Sequence, residues 1–279
     1  MKAVLIRAVP TMVDFSMGPA ILFCPADRPD RYEKAAERAD AVILDLEDAV
    51  SADAKDFARE AIAVSTLDPA RTIVRVNAAG TDDFASDLVA LARTGYRTVM
   101  LAKAEHPSQL AALADFHVIA LIETATGVLN ASAIAAEPNV VGLMWGAEDL
   151  VASIGGTSSR MADGQYRRVA LHARSTVLLA AGGNGKAAID SIYANIPDLE
   201  GLAAEAADAV ASGFAATACI HPSQVDVIRA EYLPSETDVA WAVGVLAAAA
   251  TERGVFTYEG RMVDEPLLRH ARKLLARRA

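Results

Sequence analysis

The sequence is poor in cysteine and in aromatic residues, and it contains no long apolar run. Its two cysteines, Cys24 and Cys219, are far apart and form no CxxC pair, which argues against a disulfide framework and favours a reducing, cytoplasmic compartment. No run approaches about 18 apolar residues without a charge or a turn residue, so we expect no transmembrane helix and no membrane partner. The N-terminal stretch carries scattered charges and lacks the apolar block of a signal peptide, so we expect residues 1–19 to be a disordered leader.

Basic residues are also scarce. The chain has 26 Lys and Arg against 36 Asp and Glu, which gives a formal net charge of −10. A nucleic-acid-binding face needs clustered cations, and the cluster from Arg269 to Arg278 suits the solvated C-terminal end of a helix. We therefore expect no nucleic-acid partner. An anionic substrate is still compatible with this balance, because a binding site needs only a few local cations or a metal ion.

Eight short apolar runs, separated by longer helical patterns, account for most of the chain. The runs are unbroken rather than alternating, which is typical of strands buried on both faces of a parallel sheet. Eight strand–helix units predict an α/β fold, a closed TIM (β/α)8 barrel over residues 20–232. An open doubly wound sheet is the alternative, and the absence of a GxGxxG turn disfavours it. The predicted strands are Ala20–Ala26, Ala41–Asp48, Thr72–Asn77, Thr98–Lys103, Val118–Thr124, Val140–Gly146, Ala187–Tyr193 and Ala216–His221.

Helical patterns fill the segments between these runs and continue beyond the last one. Apolar residues recur three and four apart in them, as amphipathic helices require. Two patterns that a barrel does not need, Glu236–Arg253 and Pro266–Arg278, are joined by the segment GVFTYEGRMVDE. Residues 233–279 are therefore predicted to form a C-terminal helical extension, as a lid or at an oligomer interface. The earlier predicted helices are Asp30–Ala39, Ala52–Ser65, Asp82–Thr94, Pro107–Ala114, Thr126–Ala136, Gly164–Ala181 and Leu199–Ser212.

Charged and polar residues occur near the C-terminal ends of the apolar runs. In a barrel these ends meet at one rim, where active sites are built. Carboxylates gathered there suit Mg²⁺, which takes one or two carboxylates and keeps positions for water and substrate, whereas no His/Cys spacing supports zinc. The alternative is a salt-bridge network in which Arg75 and Lys103 stabilise the rim. The strand-end residues are Asp45, Glu47, Asp48, Arg75, Asn77, Lys103, Glu105, Glu123, Glu148, Asp149 and His221.

Six segments resemble the citrate lyase β-subunit-like family, which includes malyl-CoA and citramalyl-CoA lyases and belongs with the HpcH/HpaI aldolases. The resemblance runs in order from about Ala20 to the end of the chain. It is closer to the stand-alone, actinobacterial-type members than to the subunit of a fermentative citrate lyase complex. The segments are Leu22–Arg28 (LFCPADR), Val42–Val50 (VILDLEDAV), Val74–Asn77 (VRVN), Leu121–Gly127 (LIETATG), Gly146–Leu150 (GAEDL) and Ile220–Gln224 (IHPSQ).

The resemblance implies a TIM barrel with bound Mg²⁺, a homotrimer, and reversible Claisen chemistry on acyl-CoA thioesters. Glu123 and Asp149 match the metal ligands of the family. Arg75 matches the arginine that grips the carboxylate of a 2-oxo acid, and we expect it to serve substrate binding rather than stability. Glu47 and Asp48 match carboxylates near the metal-bound waters and are expected to take part in catalysis.

Two further matches complete the expected site. The backbone N–H groups of Ala147, Glu148 and Asp149 are implied to complete the oxo-acid pocket. Asp264, in the segment GRMVD, matches an aspartate that reaches the active site of a neighbouring subunit in the lyases. It is the expected base at the acyl α-carbon. The alternative role for Asp264 is the N-cap of a helix that begins near Pro266.

The expected activity is that of a Mg²⁺-dependent carbon–carbon lyase, an oxo-acid lyase that joins an acyl-CoA to oxaloacetate, pyruvate or glyoxylate and cleaves the product. The alternative among enzymes is a thioesterase that acts on malyl-type thioesters. The alternative from another class is a non-catalytic citrate lyase-like subunit. Many relatives carry Gly-Lys where this chain has Ala216 and Thr217, which leaves its acyl carrier open.

Overall fold

Eight parallel strands close into a barrel in the computed structural model, which describes residues 16–252 and 254–277. Each strand pairs with the next one along the chain, and β1 also pairs with β8. This closure confirms the predicted TIM barrel and excludes the open doubly wound sheet. Residues 1–15 of the expected leader lie outside the described residues. The strands are β1 (Ala20–Pro25), β2 (Ala41–Asp45), β3 (Thr72–Val76), β4 (Thr98–Leu101), β5 (His117–Ile122), β6 (Val140–Trp145), β7 (Ala187–Asp190) and β8 (Ala216–Cys219).

Helices follow the strands as the amphipathic patterns predict, with two additions. The link between β4 and β5 is the 3-10 helix Pro107–Leu113. The helices α5 and α8 were not predicted, because α5 is short and α8 begins inside a segment dominated by polar residues. The barrel helices are α1 (Tyr32–Arg38), α2 (Lys55–Ala63), α3 (Asp82–Leu91), α4 (Ala125–Ala135), α5 (Ala147–Ser153), α6 (Arg168–Gly183), α7 (Leu199–Ser212) and α8 (Pro222–Tyr232).

Strand periodicity decides which side chains enter the barrel. Successive strand residues face opposite sides, so residues two apart share a face. Asp45, Arg75 and Glu123 each follow an interior apolar residue by two positions, so they continue the interior rows at the C-terminal rim. The apolar interior below them is formed by Ile21, Ala41, Ile43, Ile73, Met100, Ile119, Leu121, Met144, Ile189, Ala216 and Ala218.

The strands end one to three residues earlier than predicted, and β2 shows the physical reason. The predicted strand ran to Asp48, whereas the observed strand ends at Asp45. Asp45 Oδ1 accepts the backbone N–H of Glu47 at 2.9 Å, and Oδ2 accepts that of Ala49 at 3.2 Å. These bonds offer the backbone a turn in place of the sheet ladder. Glu47, Asp48 and Glu123 therefore lie just after the ends of their strands. Arg75 lies within β3, and Ala147, Glu148 and Asp149 begin α5.

A second compact unit begins in the last turn of α8 and comprises residues 229–252 and 254–277. It contains α9 (Glu236–Ala249), the antiparallel hairpin β9 (Phe256–Tyr258) and β10 (Arg261–Val263), and α10 (Glu265–Ala276). The hairpin forms the link between the two predicted helical patterns, and its Glu259 and Gly260 both have positive φ, as a type I′ turn requires. The sequence-based boundary between residues 232 and 233 stays a prediction. None of the described helices is long and apolar enough to cross a membrane.

Candidate active site

A cavity of about 330 Å³ opens at the C-terminal rim of the barrel. Six of the predicted site residues line it, namely Asp48, Arg75, Glu123, Ala147, Glu148 and Asp149. Apolar side chains, among them Phe23 and Met144, supply the rest of the surface together with a few small polar groups. A largely apolar cavity with a few convergent charged groups is the usual form of a small-molecule site. The remaining lining residues are Pro25, Asp45, Ala49, Leu121, Gly146, Ser191, Ile192 and Ile220.

Arg75 is enclosed by two carboxylates. Its Nε and Nη2 donate to Asp45 Oδ1 and Oδ2, both at 2.6 Å, and its Nη1 lies 3.1 Å from Glu47 Oε2. Burial opposes the charge of Arg75, but the hydrogen bonds and the attraction of Asp45 outweigh burial and raise the pKa of Arg75. The guanidinium also lies 5.1 Å from the ring centre of Phe23. Arg75 therefore belongs to a buried ion-pair network, and its expected role in substrate binding stays a prediction.

Asp45 has a larger part in this arrangement than the sequence suggested. In the sequence it is one of several strand-end residues, and no motif assigns it a role. In the structure it is 1% exposed and stands opposite Arg75 in the register of β2 and β3. A sequence signal could have revealed this pair. Asp45 and Arg75 lie on neighbouring parallel strands, and each follows an inward-facing apolar residue by two positions.

The Lys103 ammonium lies close to the carboxylates that follow β2. It forms a very short contact with Glu47, lies 3.2 Å from Asp48 Oδ2, and lies 3.9 Å from Asp149 Oδ1. The backbone N–H of Lys103 donates to Glu123 Oε1 at 3.0 Å. The ion pairs that the salt-bridge alternative predicted for Arg75 and Lys103 thus exist. They engage mainly the carboxylates that follow β2, with Asp149 at the longest distance.

Glu123 is buried without a short ion pair among the described contacts. Its side chain packs over Gly146, where an added Cβ would lie 2.9 Å from Oε2. Burial, and then the negative charge of Asp149, raise the pKa of Glu123 to about 8. A buried carboxylate close to a second carboxylate is stabilised in its charged form by a shared cation.

The donor chemistry of Glu123 and Asp149 fits Mg²⁺. This ion is held by one or two carboxylates and retains waters or substrate oxygens in its other positions. No group of three or more His, Cys, Asp or Glu side chains suited to a metal occurs in the described part of the chain. Two carboxylates at the mouth of a cavity are the simpler arrangement that this metal accepts.

A second layer of hydrogen bonds holds the turn after β2. Lys55, on α2, donates to Leu46 O at 2.7 Å, to Glu47 O at 3.1 Å and to Asn77 Oδ1 at 2.8 Å. Asn77 Nδ2 donates in turn to Asp87 Oδ2 at 2.7 Å and to Leu46 O. Asn77 was noted in the sequence, but Lys55 and Asp87 were missed, because they lie in helical patterns that read as solvent-facing.

Two residues in the connection between α5 and α6, Ser159 and Arg160, make side-chain contacts. Ser159 Oγ donates to Glu148 Oε1 at 2.6 Å, and Ser159 is only 2% exposed. The guanidinium of Arg160 lies 3.8 Å from the ring centre of Tyr166 and pairs with Glu205. The sequence did not reveal these contacts, of which the bond from Ser159 holds the side chain of Glu148.

The segment that follows β8 begins a helix. His221 Nδ1 accepts the backbone N–H of Ser223 at 3.2 Å, and Gln224 Oε1 accepts the N–H groups of Ile220 and His221. Ala216 is buried in the barrel interior and Thr217 is 4% exposed, both within β8.

Asp264 lies in the second unit. Its side chain accepts the backbone N–H of Leu267 at 3.4 Å and caps α10, as the alternative reading of this residue predicted. This contact alone does not decide its proposed role toward a neighbouring subunit, which stays a prediction.

Comparison with known proteins places this site in a family. The HpcH/HpaI aldolase/citrate lyase family matches residues 20–222. The chain is 57% identical to the citrate lyase subunit beta-like protein of Mycobacterium tuberculosis over 260 residues, 93% of this chain and 95% of that protein. It is 34% identical to a (3S)-malyl-CoA thioesterase of Cereibacter sphaeroides over 274 residues, covering 92% and 93%. It is 32% identical to the mitochondrial citramalyl-CoA lyase of Homo sapiens over 287 residues, covering 90% and 83%.

Solved structures agree with these relatives. Protein CitE from Mycobacterium tuberculosis, in complex with magnesium, acetoacetate and coenzyme A, superposes with a TM-score of 0.90 and 57% identity, covering 94% of this chain and 98% of that one. The citrate lyase beta subunit of that organism with oxaloacetate and magnesium gives a TM-score of 0.78 and 57% identity, covering 78% and 98%. On these matches, the chain belongs to the HpcH/HpaI aldolase/citrate lyase family.

Proposed function

We propose that the protein is a Mg²⁺-dependent carbon–carbon lyase that cleaves and forms the bond between the acyl group of an acyl-CoA and a small 2-oxo acid. The observation that carries this proposal is one cavity in which buried Glu123, beside Asp149, shares the rim with Arg75. Support comes from relatives that are a citramalyl-CoA lyase and a CitE protein bound to magnesium, acetoacetate and coenzyme A. The oxo acid is proposed to be oxaloacetate, pyruvate or glyoxylate.

Glu123 and Asp149 would hold the metal. A bound Mg²⁺ supplies Lewis-acid polarisation of the keto oxygen, which stabilises the charge that develops there. Glu123 is kept in place by the N–H of Lys103 at 3.0 Å and by its close packing against Gly146. These contacts leave the carboxylate little freedom, which favours a preorganised ligand.

Arg75 would orient the substrate carboxylate. A guanidinium has five N–H donors. Three contacts to Asp45 and Glu47 engage three of them, so two remain for a substrate. Because Asp45 fixes the plane of the group on both oxygens, an incoming carboxylate meets a donor whose direction is already set. Glu47 and Asp48 would contribute by holding Arg75, Lys103 and nearby water.

The proton at the acyl α-carbon needs a base, for which we propose Asp264 of a neighbouring copy in a homotrimer. The resemblance of its GRMVD segment to the lyases supports this assignment. Within its own chain Asp264 accepts one hydrogen bond of 3.4 Å, a length that indicates a weak bond. Little stability would be lost if the carboxylate turned toward a substrate.

A product analysis tests the proposal. The protein, supplied with Mg²⁺ and a panel of 3-hydroxyacyl-CoAs that includes malyl-CoA and citramalyl-CoA, is followed by mass spectrometry. A lyase yields a 2-oxo acid and a shorter acyl-CoA, and the Glu123→Gln variant should not. Free coenzyme A with the intact hydroxy acid would favour the thioesterase, which the relative from Cereibacter sphaeroides supports. If neither the parent nor the Glu123→Gln variant converts any of the substrates, the result favours a non-catalytic subunit.

A further inference from the structure

Lys103 has an unusual backbone for its position. Among the described residues, the non-glycine residues with positive φ are Lys103 at 51° and Glu259 at 48°. Glu259 sits in a two-residue hairpin turn that requires this conformation. Lys103 instead lies just beyond the end of β4, where a glycine would adopt the left-handed conformation without strain. A lysine held there indicates that its side chain has a role that glycine cannot fill.

The two ends of Lys103 serve two sides of the cavity. The backbone N–H donates to Glu123 Oε1 at 3.0 Å. The ammonium contacts Glu47, lies 3.2 Å from Asp48 Oδ2, and lies 3.9 Å from Asp149 Oδ1. One residue thus orients a carboxylate of the proposed metal site and partly offsets the charge of Glu47 and Asp48, which are not expected to bind the metal directly.

We propose that Lys103 is a specificity-determining residue that balances cation binding against anion binding in this cavity. Its ammonium offsets the charges of Glu47 and Asp48, so an anionic 2-oxo acid meets less repulsion. The same ammonium lies close enough to Asp149 to weaken the attraction of the site for any divalent cation. The inference rests on the proposed function and adds that the protein gives up metal affinity in order to admit its anion.

Removing the ammonium alone should therefore shift the two affinities in opposite directions. Lys103→Gly retains the N–H and the left-handed turn, and Lys103→Asn is a second neutral variant that tolerates this turn. Titration calorimetry of Mg²⁺ alone should show a dissociation constant lowered about fivefold in both variants, because a partly exposed charge is removed near Asp149. Titration of pyruvate at saturating Mg²⁺ should show a dissociation constant raised about tenfold.

Two controls separate charge from backbone. Lys103→Arg keeps the cation, and both dissociation constants should stay within about twofold of those of the parent. Glu259→Gly makes the same type of backbone change in the hairpin of the second unit and should alter neither affinity.

The outcomes distinguish this inference from the proposed function. Suppose that the parent protein binds Mg²⁺. If both affinities then fall together in the neutral variants, or if neither changes, the proposed role of Lys103 is wrong and the proposed metal site is unaffected. A parent that binds no Mg²⁺ would overturn the proposed function and this inference with it. Opposite shifts in both neutral variants, absent from Lys103→Arg, would establish the balance.

Discussion

The cavity has two walls, and they differ in whether their charged side chains are paired with opposite charges. On the arginine wall, built by Asp45 and Arg75, the guanidinium pairs with Asp45 at 2.6 Å and also with Glu47, which does not line the cavity, at 3.1 Å. On the carboxylate wall, built by Glu123 and Asp149, the pKa of Glu123 is raised to about 8 by burial and by its acidic neighbour. On the first wall the ion pairs fix the direction of the Arg75 donors that an incoming anion would meet. The second wall brings two carboxylates together, and a bound cation would reduce their repulsion. The cavity therefore offers a cation to an anionic ligand on one side and carboxylates to a metal ion on the other.

The largest effect on stability is expected at Asp45. Asp45→Asn leaves Arg75 buried with a single carboxylate partner, which should lower the free energy of unfolding by about 3–5 kcal/mol. Asp48→Asn is the matched control, because the Asp48 side chain is 60% exposed and its pair with Lys103 should contribute less than about 1 kcal/mol. Urea denaturation at pH 7 measures both. Equal losses in the two variants would mean that pairing does not build the arginine wall.

The next largest effect is expected on metal binding. Glu123→Gln conserves shape and removes the charge, so Mg²⁺ affinity should fall about 100-fold while the fold is retained. Glu105→Gln is the control, since Glu105 accepts a hydrogen bond from Thr124 at 2.8 Å on the same rim. Calorimetry with Mg²⁺ measures both variants. If Glu123→Gln and Asp149→Asn both bind Mg²⁺ as the parent does, the carboxylate wall is not the metal site.

A pH dependence of stability is expected from Glu123 in metal-free protein. Its pKa is about 8 in the folded chain against an ordinary value of 4.5, so the folded state binds the proton more tightly. Stability from this group is therefore lost as pH rises from about 4.5 to about 8, by roughly 2–4 kcal/mol. In EDTA, the melting temperature of the parent should fall over this range more than that of Glu123→Gln. If the melting temperatures of the two proteins change equally over this pH range, the raised pKa of Glu123 is wrong.

The smallest signal is expected from shared sites. If Asp264 serves a neighbouring barrel in a homotrimer, chains of Asp264→Asn and Glu123→Ala that are inactive alone should regain activity when assembled together. Random mixing in equal amounts would leave about one quarter of the sites with both residues intact. Activity after mixed refolding, with mixed trimers verified by native mass spectrometry, measures this recovery. No recovery in such trimers would restrict Asp264 to its capping contact in α10.

The barrel could be predicted because its signal is local and repeated. Each strand is an unbroken apolar run, and burial on both faces demands such a run whatever the neighbouring strands are. Strand ends were less predictable, because the side chain of Asp45 redirects the backbone through bonds to Glu47 and Ala49. The hairpin around Glu259 and Gly260 was missed for a related reason, since its strands are only three residues long.

The same distinction between local signals and long-range contacts applies to the candidate site. Sequence by itself determined the eightfold repeat, the rim on which charged residues would gather, and, through motif resemblance, the family. Tertiary structure alone decided that Arg75 is enclosed by Asp45, that Lys55 holds the turn after β2, and that Lys103 stands between both walls. Periodicity and motifs are properties of neighbouring residues, whereas the pairing of a buried charge depends on groups brought together from distant strands, whose distances the fold alone sets.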